Sequence, residues 1–135
     1  MKLNPYLSYD GNGMEAAKYY AETLDGEIVS CMTFGEIPES QSWITDENRD
    51  RLANAIVQVG DNTIMLSDTA GQEPHQGYAG VTLQMSVDTV EEGQDLFTKI
   101  SIGGEVRMPF NETFWAKGFG MCLDKYGVSW MVNCD

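Results

Sequence analysis

Histidine is almost missing from this chain: His75 is the only one in 135 residues. That alone excludes a metal centre built on several imidazoles. Basic residues are scarce as well, 8 Lys and Arg against 21 Asp and Glu, for a formal charge of -13. A phosphate backbone would be repelled at this charge, which excludes nucleic acid as a partner, and anionic membrane surfaces are disfavoured for the same reason. No apolar run approaches the ~18 residues that a membrane span needs. The segment MKLNPYLSYD has no apolar signal region, because Pro5, Ser8 and Asp10 interrupt it. Cysteine is limited to Cys31, Cys122 and Cys134, an odd number with no CxxC pair, so reduced thiols and a cytoplasmic location are expected. EF-hand and HExxH spacings are absent too, and the GNG at residues 11–13 lacks a phosphate-loop fingerprint. What is present is core material, 42% hydrophobic and 10% aromatic residues, in a length that fits one domain.

The apolar pattern then reads twice in the same order. Residues 3–9 alternate as a strand, with Pro5, Leu7 and Tyr9 opposite Asn4, Tyr6 and Ser8. A helix is expected from Asn12, capped with Glu15, with Met14, Ala17, Tyr20, Ala21 and Leu24 as its stripe and Gly26 as its left-handed stop. A strand over 27–34 follows, and a hairpin over 51–59 and 63–67 turns at Gly60-Asp61-Asn62. In the second half the corresponding segments are a strand over 80–87 and a helix capped by Thr89 and Glu92. A strand over 105–108 and a hairpin over 118–123 and 128–133 complete the repeat. Laid over each other at an offset of about 78 residues, Asp10 meets Asp88, Gly26 meets Gly104 and Glu27 meets Glu105. The expectation is an α+β domain over 1–135 made of duplicated βαβββ modules, one over about 1–68 and one over about 79–135. Residues 69–78 form the linker. Tyr19, Tyr20, Phe97 and Trp130 are assigned to the helix-facing cores. The acidic segment 35–49 is long for a connector, and its Trp43-Ile44 pair packs either on a neighbouring subunit or on the domain's own edge.

Three stretches carry a family resemblance: NPYLSYDGNGMEAAKYY near the start, IMLSD at 64–68, and MPFNETFWAKGFGMCLDKYGVSWMVNCD from Met108 onward. With the order of elements, they resemble the vicinal-oxygen-chelate superfamily of glyoxalases, bleomycin-resistance proteins and extradiol dioxygenases, and within it the PhnB-like branch. The resemblance implies curved mixed sheets enclosing a small-molecule pocket, and a homodimer. In metal-dependent members it implies a divalent cation held by His, Gln or Glu from the first and last strand of each module. Those positions fall here on Asn4, Thr82, Met65 and Met131, none of them a ligand suited to such ions. No metal and no cofactor is therefore expected.

If the outward positions of the strands face the pocket, its lining is neutral and polar, with methionine among it. Tyr6, Ser8, Asn54, Gln84, Cys122 and Met131 are the leading ligand-binding candidates. Phe114 and Trp115 either wall the pocket or pack beneath the segment that crosses to the second hairpin. Catalytic residues are not identified: Tyr6 and Cys122 are the titratable groups of this lining, and Glu112 is a candidate at its rim. Two functions stay open, beside a purely structural or regulatory partner role with the Trp43 loop as its contact. One is a metal-independent small-molecule-binding homodimer; the other is an enzyme, either a glyoxalase-type lyase or isomerase or a demethylubiquinone-methyltransferase-like transferase, as the branch label suggests.

Overall fold

The computed structural model describes residues 1–39 and 41–135, so Ser40 of the 35–49 segment lies outside the described residues. Residues 1–76 and 77–135 form two compact units. The first runs β1 (Tyr6–Tyr9), α1 (Gly13–Thr23), β2 (Glu27–Thr33), a single 3-10 turn at Phe34–Glu36, β3 (Leu52–Val59) and β4 (Asn62–Asp68). The second runs β5 (Leu83–Val87), α2 (Val90–Ile100), β6 (Glu105–Asn111), β7 (Gly118–Leu123) and β8 (Ser129–Cys134). Both sheets are four-stranded and mixed, ordered β1-β4-β3-β2 and β5-β8-β7-β6, with the first strand of each unit parallel to its last. This is an α+β fold with a duplicated βαβββ module.

In the first unit the even and odd strand positions separate cleanly. Leu7, Tyr9, Ala55, Val57, Ile64 and Leu66 are buried with Ala16, Ala17 and Tyr20 of α1. Each large aliphatic side chain there contributes roughly 1.5–3 kcal/mol of burial. The Tyr9 hydroxyl donates to the Tyr20 hydroxyl at 2.8 Å, so neither buried phenol goes without a partner.

The start and end of α1 both differ from expectation. Asn12 makes no side-chain cap. The buried carboxylate of Asp68, at the end of β4, takes that place. Its Oδ1 accepts from the amides of Gly11 and Gly13, each at 2.9 Å, and its Oδ2 accepts from Leu52 N at 2.7 Å. A carboxylate satisfies both the orphan amides and the positive end of the helix. At the far end Asp25, not Gly26, takes the left-handed conformation, with φ 53°. Gly26 is required for a different reason: a Cβ there would come within 2.5 Å of the Gln58 carbonyl oxygen. Gly104, its counterpart, lies against the Leu123 carbonyl in the same way, so the repeated glycine marks a repeated close approach of backbones.

In the second unit α2 is capped locally, Glu92 N donating to Thr89 Oγ1 at 3.1 Å, as its sequence predicts. Gly118 and Gly120 of β7 face the helix, and the space their side chains would fill is taken by the rings of Phe110 and Phe97. Those rings lie 6.0 Å apart between α2 and the sheet. Buried Trp130 donates its indole N–H to Asp124 Oδ2 at 2.8 Å, and the other oxygen of that carboxylate accepts from Tyr126 and Val128 in the β7–β8 turn. Because β7 alternates, turning its glycines to the helix sends Phe119 and Met121 to the opposite face.

Candidate ligand-binding faces

Each sheet has one face on its helix and one face turned away, and the cross-strand register fixes what the second face carries. In the first unit Tyr6 stands beside Met65, which stands beside Ile56. In the next row Ser8 pairs with Ser67, with Asn54 of β3 and Met32 of β2 completing it across the sheet. Tyr6 is 51% exposed and the Asn54, Ile56 and Met65 side chains are half-buried. Gln58 is spent on its own hairpin, donating to Gly60 O at 2.7 Å and accepting from the Thr63 hydroxyl at 3.0 Å. The sole histidine sits at the end of β1, its Nε2 2.7 Å from the Ser8 carbonyl oxygen.

In the second unit one row runs Met108, Met121, Met131, Gln84 across all four strands, and the next runs Asn111, Phe119, Asn133, Ser86. Gln84 Nε2 donates to Ser86 Oγ at 2.8 Å, and Asn133 Nδ2 donates to Asp135 Oδ1 at 2.6 Å. Thr82 is paired with the Ser129 hydroxyl at 2.9 Å. Phe114 and Trp115 are 97% and 49% exposed, so neither is packed beneath the crossing segment. Buried Ala116 fills that role, held by a turn in which it exchanges hydrogen bonds with Thr113. The two rings instead extend a ladder from the sheet face. Trp115 is edge-on to Phe119 at 5.3 Å, and Phe114 is edge-on to Trp115 at 4.7 Å.

Cys122 is a correction. It is 1% exposed and pairs with Trp130 on the helix side of the sheet, not on the outward face. Burial, with the nearby Asp124 carboxylate adding to it, pushes its thiol from 9.0 up to about 11, so it stays protonated. Phe119, Met121 and Met108 hold the positions that sequence reading missed. The signal was available in GFGMCL: two alternating glycines belong against a helix that carries aromatics, which leaves Phe119 and Met121 outward.

The chelating positions that the resemblance implies carry the wrong donors for a metal. Asn4 and Met65 in the first unit, and Thr82 and Met131 in the second, offer an amide, a hydroxyl and two thioethers, a set that does not fit a hard divalent ion. Among the described residues no three His, Cys, Asp or Glu side chains converge as such a site requires. The amides of Gly11 and Gly13 are taken by Asp68, which closes the GNG segment to phosphate. Glu112 is exposed.

The long segment before β3 is a built structure. Buried Asn48 donates to the carbonyls of Trp43 and Ala70 and accepts from Thr45 N. Trp43 packs edge-on against Phe34 at 4.9 Å, on the unit's own edge. A cavity of about 590 Å³ opens beside it, between Ile37, Pro38, Ile44 and the Asp46–Arg49 ion pair.

Two βαβββ units with parallel first and last strands give the fold of a solved glyoxylase/bleomycin resistance protein/dioxygenase domain from Frankia sp. EAN1pec, with a TM-score of 0.69 and 14% identity over 99% of this chain and 96% of that one. Residues 1–133 match the family model described as 3-demethylubiquinone-9 3-methyltransferase, and the chain belongs to that family. It is 38% identical to Protein YjdN of Escherichia coli strain K12 over 98% of this chain and 95% of that protein. Among solved structures it resembles protein PA1353 from Pseudomonas aeruginosa, with a TM-score of 0.89 and 37% identity over 100% of this chain and 98% of that one. A Bacillus cereus structure described as a putative 3-demethylubiquinone-9 3-methyltransferase, PhnB protein, matches with a TM-score of 0.82 and 24% identity, each chain covered in full. Among the described residues no helix is long and apolar enough to cross a membrane.

Proposed function

We propose that this protein binds a small, uncharged organic molecule on the helix-free faces of its sheets, as a cytoplasmic homodimer and without a metal at the superfamily's chelating positions. The observation that carries this reading is the makeup of those faces. In a chain of charge -13 the rows hold amides, hydroxyls, methionines and aromatics, with Tyr6, Ser8, Asn54, Gln84 and Met131 among them. Neutral hydrogen-bonding groups on an apolar bed suit a ligand recognised by shape and a few polar contacts. The family's description names a methyl transfer, which raises a catalytic alternative, and Tyr6 is the group on these rows best able to move a proton.

The test has two arms. In the first, purified protein is loaded with Mn, Fe, Co, Ni or Zn, desalted and assayed for metal, where less than a tenth of an equivalent is expected and a full equivalent would overturn the reading. In the second, a fragment library is screened by methyl NMR on protein carrying 13C-labelled methionines. Hits are expected to move Met65 or Met131. Turnover of a family-type substrate that disappears in Tyr6→Phe would establish the enzyme instead.

A further inference from the structure

We infer that the outward face of the second unit takes a planar, uncharged ring system whose polar edge carries a hydrogen-bond donor. The inference rests on the ligand-binding reading above and names the ligand's class. Met108, Met121 and Met131 occupy neighbouring strands in one row. Strand spacing makes that row about 10 Å long, the length of two or three fused rings. Three unbranched thioethers give a soft, polarizable floor that favours contact with aromatic rings over saturated ones. Trp115, half exposed, is edge-on to Phe119 of the adjoining row and presents a second aromatic surface to the same ligand.

The polar groups set the rest. Gln84 gives one N–H to Ser86 and Asn133 gives one to Asp135, which turns the amide oxygens of Gln84 and Asn133 to the face as acceptors. A ring bearing an O–H or N–H matches them. The charges at the margins are matched, Glu105 by Arg107 at 3.3 Å and Asp135 by Lys117, whose Nζ lies 2.6 Å from the Asp135 carbonyl oxygen, so they offer no unpaired charge to a ligand. Neither carboxylate lies in the methionine row, where an uncharged ring would rest.

Three probes separate these claims: 2-naphthol, its saturated analogue decahydro-2-naphthol, and naphthalene-2-sulfonate. Each is titrated to its solubility limit into the full chain with 13C-labelled methionine methyls. The expected result is an upfield ring-current shift of Met108, Met121 and Met131 with 2-naphthol, binding at least tenfold weaker for the other two probes, and a tenfold loss in Trp115→Leu. That side chain is half exposed, so the variant leaves the fold in place, and unchanged dispersion of the spectrum verifies this. Equal binding of the saturated alcohol, tighter binding of the sulfonate, shifts confined to Met32 and Met65, or no shift at all overturns the inference. The broader reading fails separately, by the metal assay or when no fragment of the library moves a methionine on either face.

Discussion

Replacing Gly93 with alanine has an effect whose sign depends on Phe110. Gly93 is buried in the interior of α2 with a negative φ, where alanine is worth about 1 kcal/mol over glycine. Against that gain, a Cβ at Gly93 would lie 2.5 Å from Phe110 Cζ and 3.0 Å from Cε2. The ring cannot swing clear, because its opposite side already fills the space over Gly118. Overpacking of this kind costs typically 1–3 kcal/mol. Gly93→Ala should therefore destabilise the protein by up to about 2 kcal/mol after the helix gain is subtracted. In a Phe110→Leu background the clashing ring carbons are gone, and the same substitution should stabilise by about 0.5–1 kcal/mol. Urea unfolding of the four proteins, followed by tryptophan fluorescence, measures the cycle. A stabilising Gly93→Ala with Phe110 present, or additivity within about 0.3 kcal/mol, would refute the account of the glycine-lined slot.

Asp68→Asn should cost about 2–4 kcal/mol, because one carboxylate oxygen becomes an NH2 group facing a backbone N–H. Amide exchange should quicken at Gly13 and Leu52, and unchanged rates at both would show that the carboxylate is dispensable. Thr89→Ala, which removes a local and exposed cap, should cost only about 1 kcal/mol in the same unfolding assay. The Cys122 thiol sets an alkaline limit. Its folded pKa of about 11 lies above the ordinary 9.0, so the unfolded chain loses this proton first. Its contribution is intact below pH 9 and is lost as pH rises toward 11, on the order of 1–2 kcal/mol relative to Cys122→Val. Equal losses in both proteins between pH 8 and pH 10.5 would disprove it.

Much of this fold is legible in the sequence because its signals are local. The alternation of Leu7 with Tyr9 names the buried side of β1 without reference to any other strand. Thr89 and Glu92 identify the start of α2 from a spacing of three residues. Asn12 and Glu15 offer the same pattern, yet Asp68 displaces it, since a charged acceptor with two oxygens satisfies amides that a neutral side chain would share. Local reading cannot anticipate that. The site shows the same division. Tyr6 and Gln84 follow from alternation, whereas Cys122 required the β7–β8 register, which pairs it with Trp130. The Trp115–Phe119 contact belongs to neither strand pattern, because a turn brings the indole back onto the sheet.

The two ways of starting a helix have consequences for how the halves assemble. The α2 cap is made by residues three apart, so that helix can satisfy its first turn as soon as it forms. The first turn of α1 waits on a carboxylate 55 residues further along the chain, at the end of the last strand of its unit. The Gly13 amide is left to water until β4 has docked beside β1 and β3, a closure with a larger entropic cost than any local turn. The same repeat thus encodes one helix whose cap is local and one whose cap is tertiary.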